Sequence, residues 1–252
     1  MSILLQIKAI FVTLFLLSFV LTPACLLAWP FPLRYRLKLV GPGWAIFSKY
    51  LLKWGCHCHL DVQEDNRSPE FQTNPSKGLY IANHQSFMDI PLMATMFQIP
   101  PIMKKEVLYI PVIGFLTWVS GAMPVSRSKG GSRKKVFKMC RDRLIKDRLA
   151  VQYYPEGTRS KDGVPKNFEA IKTPLMSLAF NNGIPVIPTS LYGTCEILTD
   201  KGKIKTGKHL GIIVHKEVDP KTFESSEEFL HFCWNKVVEG NMKLREQLSH
   251  LN

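Results

Sequence analysis

The longest apolar stretch in the chain lies near its start, and beyond residue 78 short apolar bursts alternate with amphipathic segments. No charged residue occurs from Ala9 to Leu33, and Phe11 to Leu21 is almost entirely Phe, Leu, Val and Ile. That length suffices to cross a bilayer. Pro23, Pro30 and Pro32 admit a kinked or re-entrant hairpin as an alternative to one straight span. A basic joint, Arg34, Arg36 and Lys38, ends at Pro42-Gly43 and leads to a second apolar helix within Trp44–Leu60. Glu64 to Lys77 is polar and rich in turn formers, as a boundary loop would be.

From Gly78 onward the pattern predicts strands at Leu79–Ala82, Ile102–Lys104, Ala122–Val125, Ala150–Tyr154, Val186–Leu191 and Ile212–Lys216. Between them it predicts helices at Phe87–Phe97, Ile110–Val119, Ser132–Asp147, Thr173–Asn181 and Ser225 to about His250. Such alternation defines an α/β domain with a central mixed sheet flanked by helices. The expected organisation is an N-terminal membrane-embedded helical hairpin, residues 1–62, followed by the α/β domain, residues 63–252.

Charge narrows the partners. The 252 residues carry 33 basic and 20 acidic side chains, a formal +13, which suits a polyanion: nucleic acid, an anionic membrane surface or a phosphorylated substrate. No zinc finger, basic zipper or RNA-binding aromatic signature is present, and the apolar N-terminus argues for lipid over nucleic acid. Arg34, Arg36 and Lys38 after the apolar run, against Lys8 before it, predict that the bulk of the chain stays on the cytoplasmic face. The basic helix Ser132–Arg148 reads either as a solvated surface or as a face laid on anionic head groups. The six cysteines have no disulfide-framework spacing and suit a reducing compartment. Cys56-His57-Cys58-His59 is too tightly spaced for the usual zinc arrangement, so no metal is expected there.

The chemistry concentrates in three turns. Asn83-His84-Gln85-Ser86-Phe87-Met88-Asp89 follows the strand Leu79–Ala82 and sets an imidazole and a carboxylate five residues apart. With His84 in the turn and Asp89 in the helix's first turn, the acid reaches back to the ring and leaves the other nitrogen free as a general base. Ser86-x-x-Asp89 is equally a capping box, which would make Asp89 structural. Pro155-Glu156-Gly157-Thr158-Arg159-Ser160 follows the strand Ala150–Tyr154 and combines a tight turn with hydroxyls and a guanidinium suited to phosphate oxygens. Gly121-Ala122-Met123-Pro124-Val125-Ser126-Arg127 ends a third strand with an arginine, and ligands of α/β folds gather at strand ends.

Together with Ile184-Pro185-Val186-Ile187-Pro188, and with Met103-Lys104-Lys105-Glu106-Val107-Leu108 leading into Ile110-Pro111-Val112-Ile113-Gly114, these segments resemble the ordered motifs of the glycerolipid acyltransferases, especially the 1-acylglycerol-3-phosphate (lysophosphatidate) acyltransferases. The resemblance runs from about Gly78 to Leu191. It implies a membrane-bound enzyme that moves a fatty acyl group from acyl-CoA or acyl-carrier protein to the sn-2 hydroxyl of 1-acylglycerol-3-phosphate, giving phosphatidic acid for phospholipid biosynthesis. It further implies His84 and Asp89 as the catalytic pair. Lys104, Lys105, Arg127, Glu156, Gly157, Thr158 and Arg159 would hold the acceptor, with no cofactor beyond the acyl thioester. The chain departs from the family where Phe-Lys-x-Gly is common and Phe168-Glu169-Ala170-Ile171-Lys172 stands instead. Lys166 and Lys172 are the nearby cations, and another lysolipid acceptor is the alternative reading.

Overall fold

The computed structural model describes residues 3–65, 68, 77–97, 99–100, 102–125, 132–160, 162–197 and 204–252. Two antiparallel helical arms open the chain. The first runs from α1 (Ile3–Leu16) through a π-helical turn (Leu17–Leu21) into α2 (Thr22–Ala28). Trp29 to Pro32 turns the chain, and α3 (Leu33–Tyr50) returns against α2. A second π-turn, Leu51–Gly55, closes the arm against α1.

The expected joint at Pro42-Gly43 is therefore no break. Both residues lie inside α3, which starts at Leu33 rather than Trp44. Packing overrides the local breaking tendency: Gly43 is buried against Leu21 and Ala24, where a Cβ would make ordinary contact at 3.4 and 3.6 Å. Nor does the second helix reach Leu60. Cys56 and Cys58 are buried beside Leu52 and Leu210, and strand β1 (His59–Glu64) begins there, crossing the expected boundary at 62.

The mixed sheet has the order β1-β7-β6-β2-β5, with β2 Leu79–Ala82, β5 Val151–Tyr153, β6 Val186–Tyr192 and β7 His209–Val214. All pairs are parallel except β6 with β7. Strand β2 lies between β6 and β5 and is buried on both faces, which explains its unbroken apolar run. Tyr80 and Ala82 enter the core shared with Met88, Leu92 and Ile212, whereas Leu79 and Ile81 enter the core shared with Phe229, Trp234 and Val237. A separate parallel pair, β3 (Ile102–Lys104) and β4 (Met123–Val125), lies outside this sheet.

The helices after β2 are α4 (Asp89–Ala94), α5 (Ile113–Val119), α6 (Ser132–Ile145), α7 (Pro174–Asn181), a short α8 (Thr194–Ile197) and α9 (Ser226–Leu248). Leu116 and Val119 of α5 share a core with Leu21, Cys25, Ala28, Val40 and Phe47 of the N-terminal arms. Helix α4 also packs on α3. The arms are thus bolted to the α/β unit on the side that carries the His84 turn.

Candidate active site

Strands β2 and β5 are parallel neighbours, so their C-terminal ends open at the same edge of the sheet. The register pairs Leu79 with Val151 and Ile81 with Tyr153. Continued past the ladder, that offset sets His84 opposite Glu156. Two motifs separated by seventy residues therefore meet because of strand pairing alone.

The His84 Nδ1 lies 2.7 Å from Asp89 Oδ2, and Asp89 is fully buried. The same oxygen accepts the Gln85 amide at 2.8 Å and the Ser86 amide at 3.0 Å, while Oδ1 accepts the Thr194 hydroxyl. An oxygen that already accepts two N–H groups is best met by a third, so Nδ1 is the donor, and in the neutral ring the lone pair is then on Nε2. The His84 side chain is 21% exposed, which leaves an edge for substrate. The capping box forms in half: Asp89 Oδ2 takes the Ser86 amide, while Ser86 Oγ accepts the Met88 amide at 3.3 Å rather than that of Asp89. Asp89 both closes the helix start and aims the imidazole.

The His84 backbone is gripped on both sides by the second motif. Its N–H donates to Glu156 Oε1 at 2.9 Å, and its carbonyl accepts the Ser160 amide at 2.8 Å. The Tyr154 ring stacks on the imidazole with centroids 4.2 Å apart. Glu156 is 2% exposed, and Oε2 has no hydrogen-bond partner among the described residues. Burial pushes its carboxyl up to about 7, against the lowering effect of the His84 amide and ring and of Lys166. Glu156 thus lies beneath the turn, shaping it, rather than on the outer surface that a phosphate would meet.

Gly157, Thr158 and Arg159 are exposed. Gly157 adopts φ +66°, a conformation that disfavours a side chain, and an added Cβ would lie 2.5 Å from Lys172 Nζ. Lys166 Nζ donates to Thr158 Oγ1 at 2.7 Å and to the Glu156 carbonyl at 3.3 Å. Its own carbonyl accepts the indole N–H of buried Trp234 at 2.9 Å. Two ammonium groups therefore flank the turn, where Phe168–Lys172 departs from the family pattern. Arg159 makes no ion pair among the described residues.

The remaining expected residues are less gathered. Lys105 is exposed at the start of a 3₁₀ turn, Lys105–Tyr109. Lys104 ends β3, with its side chain outside the described part, and Arg127 lies outside the described residues altogether. The residues that sequence reasoning missed are the supports. Asn83 behaves like a strand residue, its amide donating to the Leu191 carbonyl at 2.9 Å and accepting the Leu191 N–H at 2.8 Å. Gln85 and Asn241 also donate to the Leu191 carbonyl. Thr194 had one signal, a hydroxyl just past the apolar run of β6.

A second constellation resembles a nucleophile relay. His215 Nε2 is 2.9 Å from Ser190 Oγ and its Nδ1 is 3.2 Å from Asp65 Oδ2, beside a cavity of about 780 Å³. Ser190, however, is fully buried and also 2.9 Å from the Val237 carbonyl, against α9 at Gly240. No acyl carbonyl reaches it. The exposed imidazole edge is at His84.

The chain that sets this His84–Asp89 pair at one strand end and the Glu156–Arg159 turn at the next is similar to known proteins. An acyltransferase family model matches residues 59–192, just over half of the chain, and the protein belongs to that family. Among similar proteins is a 1-acyl-sn-glycerol-3-phosphate acyltransferase of Brassica napus (BAT2, chloroplastic), 32% identical over 73% of this chain and 52% of its own length. Another is the 1-acyl-sn-glycerol-3-phosphate acyltransferase of Haemophilus influenzae, 28% identical over 57% of this chain and 61% of that one. The chain spans about half the length of the curated relatives it matches. The crystal structure of the lysophosphatidate acyltransferase PlsC from Thermotoga maritima superposes with a TM-score of 0.74 at 26% identity, covering 96% of this chain and 95% of that one.

Proposed function

We propose that this protein is a membrane-bound 1-acylglycerol-3-phosphate O-acyltransferase that forms phosphatidic acid. The observation that carries the reading is the His84–Asp89 pair at the end of β2, held by the Glu156–Ser160 turn at the end of β5. His84 Nε2 takes the proton of the sn-2 hydroxyl as that oxygen attacks the thioester carbonyl of acyl-CoA or acyl-carrier protein. Asp89 stabilises the imidazolium through the 2.7 Å hydrogen bond. The tetrahedral intermediate expels thiolate, which the imidazolium reprotonates, so the base is regenerated and no acyl-enzyme forms. Thr158, Arg159, Lys166 and Lys172 receive the glycerol phosphate, with Lys104, Lys105 and Arg127 adding positive field.

The N-terminal arms are the membrane anchor of this reading. Ile7–Ala28 has a mean hydropathy of 2.5 and is mostly exposed. At 1.5 Å per residue its 22 residues extend about 33 Å, enough to span. A full span would drag α3 back through hydrocarbon with Arg34, Arg36, Lys38 and Lys49, at about 2.5–3.5 kcal/mol for each charge near the centre. A hairpin held in one leaflet, with the domain on the cytoplasmic face, avoids that cost. Because α4 packs on α3, the dyad then sits at the interface where acceptor and product reside.

The test is thiol release from acyl-CoA by the full-length protein in vesicles, with and without lysophosphatidate, and product identification by mass spectrometry. Release that depends on lysophosphatidate supports the reading, whereas equal release in its absence contradicts it. The Phe168–Lys172 departure keeps one alternative, the same chemistry on another lysolipid, and a panel of acceptors with one donor separates the two.

A further inference from the structure

Between the Lys105–Tyr109 turn and α5, the chain makes a γ-turn of the rare, strained kind. Val112 has φ +66° and ψ −57°, and the Ile113 amide reaches the Pro111 carbonyl at 2.7 Å. A β-branched residue at positive φ persists only where its surroundings enforce it. Gly114 does so here, its N–H bonding the Ile110 carbonyl at 2.8 Å and its Cα lying so close to Leu108 that a Cβ would fall 2.0 Å from the Leu108 carbonyl oxygen. The enforced geometry turns apolar side chains outward: Tyr109 is 77% exposed and Val112 57%, with Ile110 and Ile113 also exposed.

This apolar tip is not isolated. It begins α5, whose Leu116 and Val119 are buried against the N-terminal arms, and the Cys25 thiol donates to the Leu116 carbonyl. The opposite face of α5 carries half-exposed Trp118, with the Arg36 guanidinium 5.0 Å from its ring centre. An aromatic ring paired with a cation is the composition of the bilayer's polar boundary. The tip therefore rides on the same rigid unit as the exposed apolar face of Ile7–Ala28.

We propose that the Tyr109–Ile113 turn is a second membrane-inserting element, dipping into the leaflet that holds the N-terminal hairpin. The proposal rests on the membrane reading above and extends it to the α/β domain. Two points of attachment fix the domain's tilt. They also bring Lys104 and Lys105, immediately before the turn, down to the head groups of lipid acceptors.

Depth-dependent quenching tests this. Full-length protein with Tyr109→Cys, Leu14→Cys or Glu246→Cys, each labelled with NBD, is reconstituted in vesicles of phosphatidylcholine and phosphatidylglycerol containing doxyl-labelled lipid. Unsubstituted protein taken through the same labelling supplies the background. The Tyr109 probe is expected to blue-shift and to be quenched several-fold more than the Glu246 probe, approaching the Leu14 probe. A Tyr109 probe that behaves like the Glu246 probe, while Leu14 is quenched, overturns the inserted turn and leaves the anchor standing. If Leu14 is unquenched too, the membrane reading itself fails. The unlabelled Ile110→Ser/Val112→Asn variant provides a second arm, asparagine tolerating the positive φ. Its kcat/KM should fall about tenfold on vesicle-embedded acceptor and stay unchanged on a short-chain monomeric one. An equal loss on both would assign these residues to the substrate site and overturn the proposal.

Discussion

Asp89→Asn separates the two services that the buried carboxylate performs for His84. Asparagine can keep its carbonyl oxygen at the Oδ2 position, where three N–H groups converge from the His84 ring and the Gln85 and Ser86 amides. Its NH₂ then faces Thr194, whose hydroxyl can rotate to accept it and donate to Gln85 Oε1, 3.2 Å away. The opposite orientation would set an NH₂ against three donors. The ring tautomer should therefore survive, and what disappears is the negative charge opposing the imidazolium. A charge-assisted hydrogen bond exceeds a neutral one by an amount within the roughly 1.5–3 kcal/mol such bonds contribute. This places the loss of turnover at no more than about 10- to 150-fold. The assay is lysophosphatidate-dependent thiol release at saturating substrates, with the apparent Tm measured in parallel. Normal turnover would show that the charge is idle. A loss near 10⁴-fold with an unchanged Tm would show that the ring had lost its tautomer and that the hydrogen-bond reasoning is wrong.

Glu156→Gln should change the pH dependence of stability. The folded carboxyl is raised to about 7 from an ordinary 4.5, so the folded state holds the proton more tightly. Its contribution is complete below about pH 4.5 and is lost as pH rises through 7, a fall of about 3 kcal/mol. The variant should lack that slope in melting curves between pH 5 and 8, and identical slopes would refute the assignment. Lys166→Ala and Lys172→Ala should each raise the KM for lysophosphatidate several-fold with little change in kcat, read from initial rates. A shift confined to the donor KM would reverse the pocket.

Much of the α/β framework was legible because β2 is an unbroken apolar run and β5, β6 and β7 are mostly apolar, although Gln152, Thr189 and Ser190 are buried polar residues and β7 starts at His209 rather than Ile212. Strand β1 was not. His59-Leu60-Asp61-Val62-Gln63-Glu64 has two apolar residues, and its partner β7 lies about 150 residues away. The start of α3 was misplaced because Gly41-Pro42-Gly43 breaks helices locally, while burial of Gly43 against Leu21 and Ala24 holds the helix continuous through it. The dyad could be anticipated from its spacing across a helix start. The Glu156 contact could not, because it follows from the register of β2 on β5. Tyr154 stacking on His84 and Thr194 bonding Asp89 are likewise products of strand order, invisible to local pattern.

The most direct measurement of the central claim is the turnover of His84→Ala in the lysophosphatidate-dependent assay. General-base help is worth about 10²–10⁴-fold, and the side chain is partly exposed, while Asp89 Oδ2 keeps the Gln85 and Ser86 amides when the ring is removed. The account predicts a loss of that order with the melting temperature preserved. Turnover within a few-fold of the unsubstituted protein would contradict it.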